Sequence, residues 1–151
     1  MIWIIAIAVT VALFYWIVPA SRGVERKATE IEPALRQLLD TDLENAFLSV
    51  QPQFSRNKRI QYTRYQTDAG SIGIELVFTN ARWSEDFFPK VVTAASGADL
   101  PYDIQDAADS DVRFVFVRFG QSTKIAARFG REILVSIFGF DENYRFRVRI
   151  N

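Results

Sequence analysis

The chain contains no cysteine and no histidine among its 151 residues. Their absence excludes thiol nucleophiles, imidazole general bases, disulfide bonds and metal sites built from thiolates or imidazoles. The sequence also lacks a glycine-rich phosphate loop, a G-x-S-x-G elbow and an H-E-x-x-H motif. It therefore predicts a protein without enzymatic activity, without a cofactor and without a metal site.

An excess of charge of one sign is also missing, because 18 Lys and Arg residues balance 18 Asp and Glu residues. A neutral chain is a poor candidate for a nucleic-acid-binding protein, which is usually basic. Apolar residues make up 49% of the chain and charged residues 24%, which is sufficient for a packed core. The length suits one modest domain.

One long uncharged run is present, at residues 2–18. As a helix it would span about 26 Å, at the short end for the hydrocarbon core of a bilayer. Trp3 lies near one end of the run, and Tyr15 and Trp16 lie near the other, as in the aromatic belts of membrane-spanning helices. The run predicts a transmembrane anchor in residues 1–20 that contacts the lipid bilayer.

Two other interpretations of this run are open. It could be a signal peptide cleaved after Ala20, although its amino-terminal part carries no Lys or Arg and the run exceeds the usual apolar length. It could also be a buried core helix. For an uncleaved single-pass anchor, Arg22, Arg26 and Lys27 favour a cytoplasmic position for the following domain, with a periplasmic or other extracytoplasmic position as the alternative.

A polar connector is predicted at residues 21–32, followed by a single globular domain at residues 33–151. Pro33 suits the first turn of a helix. Apolar residues then recur every four positions (Leu35, Leu39, Leu43 and Phe47). The spacing predicts one amphipathic helix that ends at Pro52.

Five strands are predicted after this helix. They lie at residues 59–66, 71–79, 112–119, 132–140 and 144–150, where apolar residues alternate with polar ones or form short continuous runs. A short helix is predicted over residues 84–97, and residues 121–130 favour a helix over an additional strand. The expected fold is α+β: an N-terminal transmembrane helix, then a two-layer domain with an amphipathic helix packed on a mostly antiparallel sheet of about five strands.

The last predicted strand carries Arg145, Arg147 and Arg149 on one face, and Arg113 and Arg118 lie on another strand with opposite parity. These five arginines are the candidate partner-binding residues, because guanidinium groups bind carboxylates and phosphates through paired hydrogen bonds. Alternatively the arginines protect a sheet edge, pair with acids of the same domain, contact anionic lipid or bind nucleic acid.

Acidic residues form two further candidates. Asp residues at five positions in the segment 99–111 could hold a cation such as Ca²⁺, but their spacing does not match an EF-hand, and a solvated loop is the favoured interpretation. Glu75 and Glu132 are the only acids within predicted strands, and they would have to face one another in a cleft to act as a catalytic pair.

The favoured function is therefore a single-pass, membrane-anchored, non-catalytic module that binds another protein and scaffolds or assembles a membrane complex. One alternative is an envelope module that binds a small apolar or anionic ligand in an aromatic-lined pocket. A second alternative is a carboxylate-dependent hydrolase.

Overall fold

The computed structural model describes residues 23–151 of the chain. Seven strands, three α-helices, one 3₁₀ turn and one π-helical segment follow one another in this part. In chain order they are β1 (Val24–Lys27), the 3₁₀ turn (Ala28–Glu30), α1 (Glu32–Asp40), β2 (Phe47–Pro52), β3 (Ile60–Gln66), β4 (Ile72–Asn80), α2 (Phe88–Gly97), β5 (Tyr102–Asp106), β6 (Arg113–Arg118), α3 (Thr123–Glu132), the π-helical segment (Ile133–Ile137) and β7 (Arg145–Ile150).

All seven strands form one sheet in the order β1-β7-β2-β3-β4-β6-β5. Every pair of neighbours is antiparallel. Helix α1 packs against β2, β3, β4 and β7, α2 packs against β4 and β5, and α3 packs against α1 and β4. The result is a two-layer α+β domain in which the described helices contact one face of the sheet.

The core lies between the sheet and the helices. Alternate residues of each central strand point into it, and the largest of those that are fully buried are Tyr62, Phe78 and Phe146. Leu35 and Leu38 of α1 and Ile133 and Leu134 of the π-helical segment close the core from the helical side, and each is 0% exposed. This burial of apolar surface is the main stabilising contribution to such a domain.

The predicted strand count is wrong, because the sheet has seven strands rather than about five. Strand β1 lies within the predicted connector, and β5 lies within the predicted polar loop. Both are edge strands, and neither contains a buried residue. An edge strand without a buried face lacks the apolar alternation that identifies a strand in a sequence, so the pattern did not indicate them.

The single long helix predicted from Pro33 to Pro52 is also wrong. Helix α1 ends at Asp40, and the residues that follow include Asn45 in the left-handed conformation (φ 56°). Strand β2 then begins at Phe47 and buries Leu48 and Val50 at alternate positions. The apolar residues Leu39, Leu43 and Phe47 happen to be four positions apart across this boundary, which imitates a helix. The same segment also contains the two-residue alternation of β2.

The strand predicted over residues 132–140 is helical instead. Helix α3 continues without a break into the π-helical segment, where the Phe138 amide donates to the Ile133 carbonyl at 2.8 Å. A short run of apolar residues does not distinguish a buried strand from a buried helix, so the helix that precedes it decided the outcome. The structure has helix α3 at Thr123–Glu132, and the sequence favoured a helix over residues 121–130.

The transmembrane part of the predicted fold is corrected as well. Among residues 23–151 the structure contains no helix that is both long and apolar enough to cross a membrane. The predicted segment at residues 2–18, with Trp3, Tyr15 and Trp16, lies outside the described residues. The architecture that replaces the prediction is the α+β domain with its seven-stranded sheet.

Candidate functional site

The sheet face opposite the helices is the most extensive candidate surface, and we call it the open face. No helix within residues 23–151 packs over it. Its side chains alternate with the core residues along each strand. They are Glu25, Lys27, Arg145, Arg147, Arg149, Phe47, Ser49, Gln51, Gln61, Thr63, Tyr65, Gly73, Glu75, Val77, Thr79, Phe114, Phe116, Arg118, Asp103 and Gln105.

One side of the open face carries the three arginines of β7, as the sequence predicted. Phe146 and Val148 between them are buried in the core, so Arg145, Arg147 and Arg149 share the opposite face. Arg149 donates through Nε to the Oδ1 of Asn151. None of the three arginines forms an ion pair with another residue of the described chain.

The structure separates Arg113 and Arg118 from the arginines of β7. Strand β6 lies four positions from β7 in the sheet, which corresponds to about 19 Å. Arg113 points to the helical side, where its Nε lies 3.0 Å from Oδ1 of Asp106 and its guanidinium lies 6.0 Å from the centre of the Phe88 ring. The five candidate arginines therefore do not form one cluster.

Arg118 lies on the open face and pairs with a buried carboxylate. Its Nε is 3.4 Å from Oε2 of Glu75, and its guanidinium lies 5.4 Å from the centre of the Tyr65 ring. Thr63 donates its hydroxyl to Oε1 of Glu75 at 3.4 Å. Glu75 is only 8% exposed, and burial raises the pKa of its carboxyl while Arg118 and Thr63 lower it.

A glycine makes room for this cluster. A Cβ placed on Gly73 would lie 2.7 Å from Cε1 of Tyr65, so the tyrosine ring lies directly over the glycine. The Tyr65 hydroxyl accepts a hydrogen bond from the amide of Gly120 at 3.3 Å. Sequence reasoning noted Glu75 but missed this arrangement. Gly73, a glycine within the alternating strand β4, was the feature of the sequence that could have indicated a close contact at this position.

The two acids that a hydrolase would need lie on opposite sides of the sheet. Glu75 faces the open face, whereas Glu132 ends α3 in the helical layer and lines a surface groove beside α2. General acid and base groups must converge on one cleft, and these two carboxylates do not.

A continuous row of side chains crosses the open face and is charged only at its ends. The cross-strand register joins Arg149 to Ser49, Ser49 to Gln61, Gln61 to Val77, Val77 to Phe116 and Phe116 to Asp103. The row begins at a guanidinium on β7 and ends at a carboxylate on β5. This row is therefore electrically polarised across the width of the face.

Two surface grooves in residues 23–151 differ from the aromatic-lined pocket that the ligand-binding alternative requires. A groove of about 390 Å³ lies beside α2 and is lined by Pro89, Lys90, Thr93, Ala94, Glu132 and Ile137. A second, of about 250 Å³, lies beside β1 and the end of β7. Both open to solvent, and neither is lined by an aromatic side chain.

The acidic segment at residues 99–111 forms no metal site in the structure. Asp103 and Asp106 lie on β5, and Asp109 takes a left-handed conformation in the turn of the β5–β6 hairpin. In the part of the chain from residue 23 onward, no three metal-ligating side chains are grouped to hold a metal ion. The segment instead makes the β5 edge of the sheet acidic.

Comparisons of the whole chain with protein-family models, with curated proteins and with solved structures find no match. The chemistry of the open face is thus the basis for assigning a function.

Proposed function

We propose that the protein is a non-catalytic protein-interaction module whose open face holds a carboxylate-bearing protein surface. The observation that carries the proposal is the position of the three β7 arginines, Arg145, Arg147 and Arg149. They lie on a sheet face that no described element covers, and they form no ion pair within residues 23–151. In this role the domain would scaffold a protein assembly.

The chemistry of arginine supports a carboxylate partner. The planar guanidinium presents its donors in a fixed fork that matches the two oxygens of a carboxylate. Beside the arginines, the face carries short uncharged side chains, Ser49 and Gln51, directly opposite Arg149 and Arg147. Such side chains let another protein surface approach closely, and an interface of this kind has a less charged centre than its surroundings.

The acids on the same face disfavour a nucleic-acid partner. Glu25 lies directly across from Arg147, and Asp103 ends the row that starts at Arg149. A phosphate backbone that followed the face would meet carboxylates at both sides. The chain also has no net charge, so it lacks the broad positive field that nucleic-acid binding uses.

A defined acidic peptide tests this proposal. The full chain, kept in a non-ionic detergent because of its uncharged residues 2–18, is titrated against a fluorescein-labelled ten-residue peptide of alternating Glu and Ser. We expect the double variant R147E/R149E to weaken binding roughly tenfold or more, because it replaces two guanidinium partners by like charges. Added salt should weaken wild-type binding in parallel.

The matched control is K124E/R128E, which changes the net charge equally on the exposed side of α3. It should bind the peptide as the wild type does. Equal losses in both double variants would show general electrostatics rather than a site. Tighter binding of a ten-residue oligothymidylate than of the peptide, at the same salt concentration, would overturn the choice of a protein partner.

A further inference from the structure

We propose that the carboxylate-bearing surface is the open face of a second copy of this chain, packed about a two-fold axis parallel to the strands. This inference rests on the proposed function, since it gives that face its partner. It follows from the polarity of the row that joins Arg149 to Asp103, from the uncharged centre of that row and from the size of the face.

The polarity of the face is complementary to itself. A two-fold axis along the strands turns the second sheet over and exchanges its left and right sides. Arg149 at one end of the row then lies opposite Asp103 of the second copy, and Asp103 lies opposite Arg149 of the second copy. Such a contact is isologous and closes after two subunits.

The same axis matches the other arginines of β7 with the β5–β6 hairpin. Strands β7 and β5 run in opposite directions, because five antiparallel steps separate them in the sheet. The cross-strand row of Arg147 therefore ends at Gln105, and the axis places Arg147 opposite Gln105 of the second copy. Arg145 corresponds to residue 107, where the hairpin turn that contains Asp109 and Asp111 begins.

The residues near the axis fit each other without unpaired charge. The midpoint of the row lies between Gln61 on β3 and Val77 on β4, so Val77 of one copy meets Gln61 of the other. In the neighbouring row the register joins Phe47 to Thr63, Thr63 to Glu75 and Glu75 to Arg118.

In that neighbouring row the axis places Arg118 over Phe47 of the second copy. A guanidinium above an aromatic ring is a favourable contact. The charge of Glu75 is already compensated by Arg118 within the same copy.

The size of the face suits a stable dimer at the lower end of the usual range. The axis overlays the six strands from β7 to β5 and leaves the edge strand β1 outside the contact. Six strands at about 4.8 Å and about five residues per strand at 3.4 Å give a flat area on the order of 500 Å². Protruding side chains and the hairpin turn increase this projected area towards the roughly 800 Å² that each partner buries in a standard interface. Two aligned sheets pack about 10 Å apart, as in a β-sandwich.

Charge exchange tests the inference directly. The wild type, R149D, D103R and an equimolar mixture of the two variants are compared as full chains by sedimentation equilibrium in a density-matched non-ionic detergent. In R149D both contacts become acid against acid, and in D103R both become base against base. In a mixed pair both contacts again join opposite charges.

We expect a wild-type dimer at micromolar concentrations and a dissociation constant raised roughly tenfold in each variant alone. The mixture should recover the wild-type value within about threefold. R128D and D86R, two exposed charges away from the open face, are the matched controls and should change nothing, alone or mixed.

Three results would overturn the inference: a wild-type monomer at 100 µM, a mixture as weak as its components, or assemblies that grow beyond two subunits, since a head-to-tail contact would not close. A monomer that still binds the acidic peptide through Arg147 and Arg149 would refute the dimer while supporting the proposed function. Loss of both properties would refute both proposals.

A cysteine cross-link provides an independent measurement, because the natural chain has no cysteine. Val77 lies next to the proposed axis, so V77C residues of the two copies lie within reach of a short bis-maleimide. We expect a covalent dimer for V77C and none for the control R128C at the same protein concentration. A dimer that forms equally well with R128C, or not at all with V77C, would contradict the proposed arrangement.

Discussion

The two faces of the sheet come from the same strands and differ only in the parity of their residues. On β4, Ile74, Leu76 and Phe78 are buried beneath the helices, whereas Val77, between Leu76 and Phe78, and Thr79, after Phe78, are partly exposed. The helical face is held by close apolar packing. The open face carries short polar groups, a few rings and a charge gradient from β7 to β5.

This difference means that the two faces of the sheet contribute unequally to the stability of the domain. Apolar side chains on the helical face lose water completely, so their packing contributes most to folding. The open face contributes less to the stability of the single domain, because its side chains keep part of their contact with water. Substitutions on opposite faces should accordingly have very different consequences.

The largest contrast is expected between two neighbours on β4. Leu76→Ala should lower the free energy of unfolding by about 2–5 kcal/mol, because Leu76 is 0% exposed and its removal leaves a cavity. Val77→Ala should lower it by about 1 kcal/mol or less, since Val77 is only partly buried. Chemical denaturation at a concentration where the chain is monomeric measures both, and equal losses would show that the open face is also packed within one chain.

A smaller effect is expected at the contact between α3 and β3. A Cβ on Gly130 would lie 2.0 Å from the Tyr62 hydroxyl, which donates to the Ala126 carbonyl at 2.8 Å. Gly130→Ala should therefore destabilise the domain by about 1–3 kcal/mol, although this substitution ordinarily stabilises a helix. Thermal unfolding measures the effect.

Tyr62→Phe supplies the control for this prediction. It costs one buried hydrogen bond, about 1 kcal/mol, and it removes the atom nearest to the added methyl group. Gly130→Ala should then cost clearly less in the Tyr62→Phe background than alone. Strictly additive losses would show that the two residues do not interact.

The smallest effect is expected at the buried acid of the open face. Burial raises the pKa of Glu75 above its ordinary value of 4.5, so the folded chain holds this proton more tightly than the unfolded chain does. The free energy of unfolding contributed by Glu75 therefore falls as pH rises from that value through the folded pKa. Glu75→Gln should remove this fall and change stability by about 1 kcal/mol or less.

Chemical denaturation from pH 4 to pH 8 measures the prediction for Glu75, with Glu85→Gln as the control at an exposed acid. The difference between the wild type and Glu75→Gln should move in favour of the variant as pH rises. A shift in the opposite direction would mean that Arg118 outweighs burial at this carboxyl.

Residue patterns predicted four of the seven strands, β3, β4, β6 and β7, and missed β2, whose alternation was overridden by a four-residue apolar spacing. Strands β3, β6 and β7 lie within the predicted ranges, and β4 extends one residue beyond its range, to Asn80. Helix α2 ends at Gly97 as the pattern indicated, but it begins at Phe88 rather than at residue 84. These features follow from local rules, because alternation and backbone preference are properties of a few consecutive residues.

The candidate site was predictable only in part, for the same reason. Strict alternation placed Arg145, Arg147 and Arg149 on one face of β7. It did not reveal that Asp103 ends the same cross-strand row, since β7 and β5 become ends of one row only through the pairing of all the strands between them. Alternation also did not indicate that Arg118 lies on a strand four positions away from β7 in the sheet.

The sequence by itself determined the absence of cysteine and histidine chemistry, the strands β3, β4, β6 and β7, and the parity of the β7 arginines, because each depends on residue identity or on neighbours along the chain. Tertiary structure decided where α1 ended, that residues 133–137 are helical with Ile133 and Leu134 in the core, and which face of the sheet the helices covered. Those outcomes depend on packing between distant segments, where the burial of apolar surface outweighs the weak local preferences of each segment.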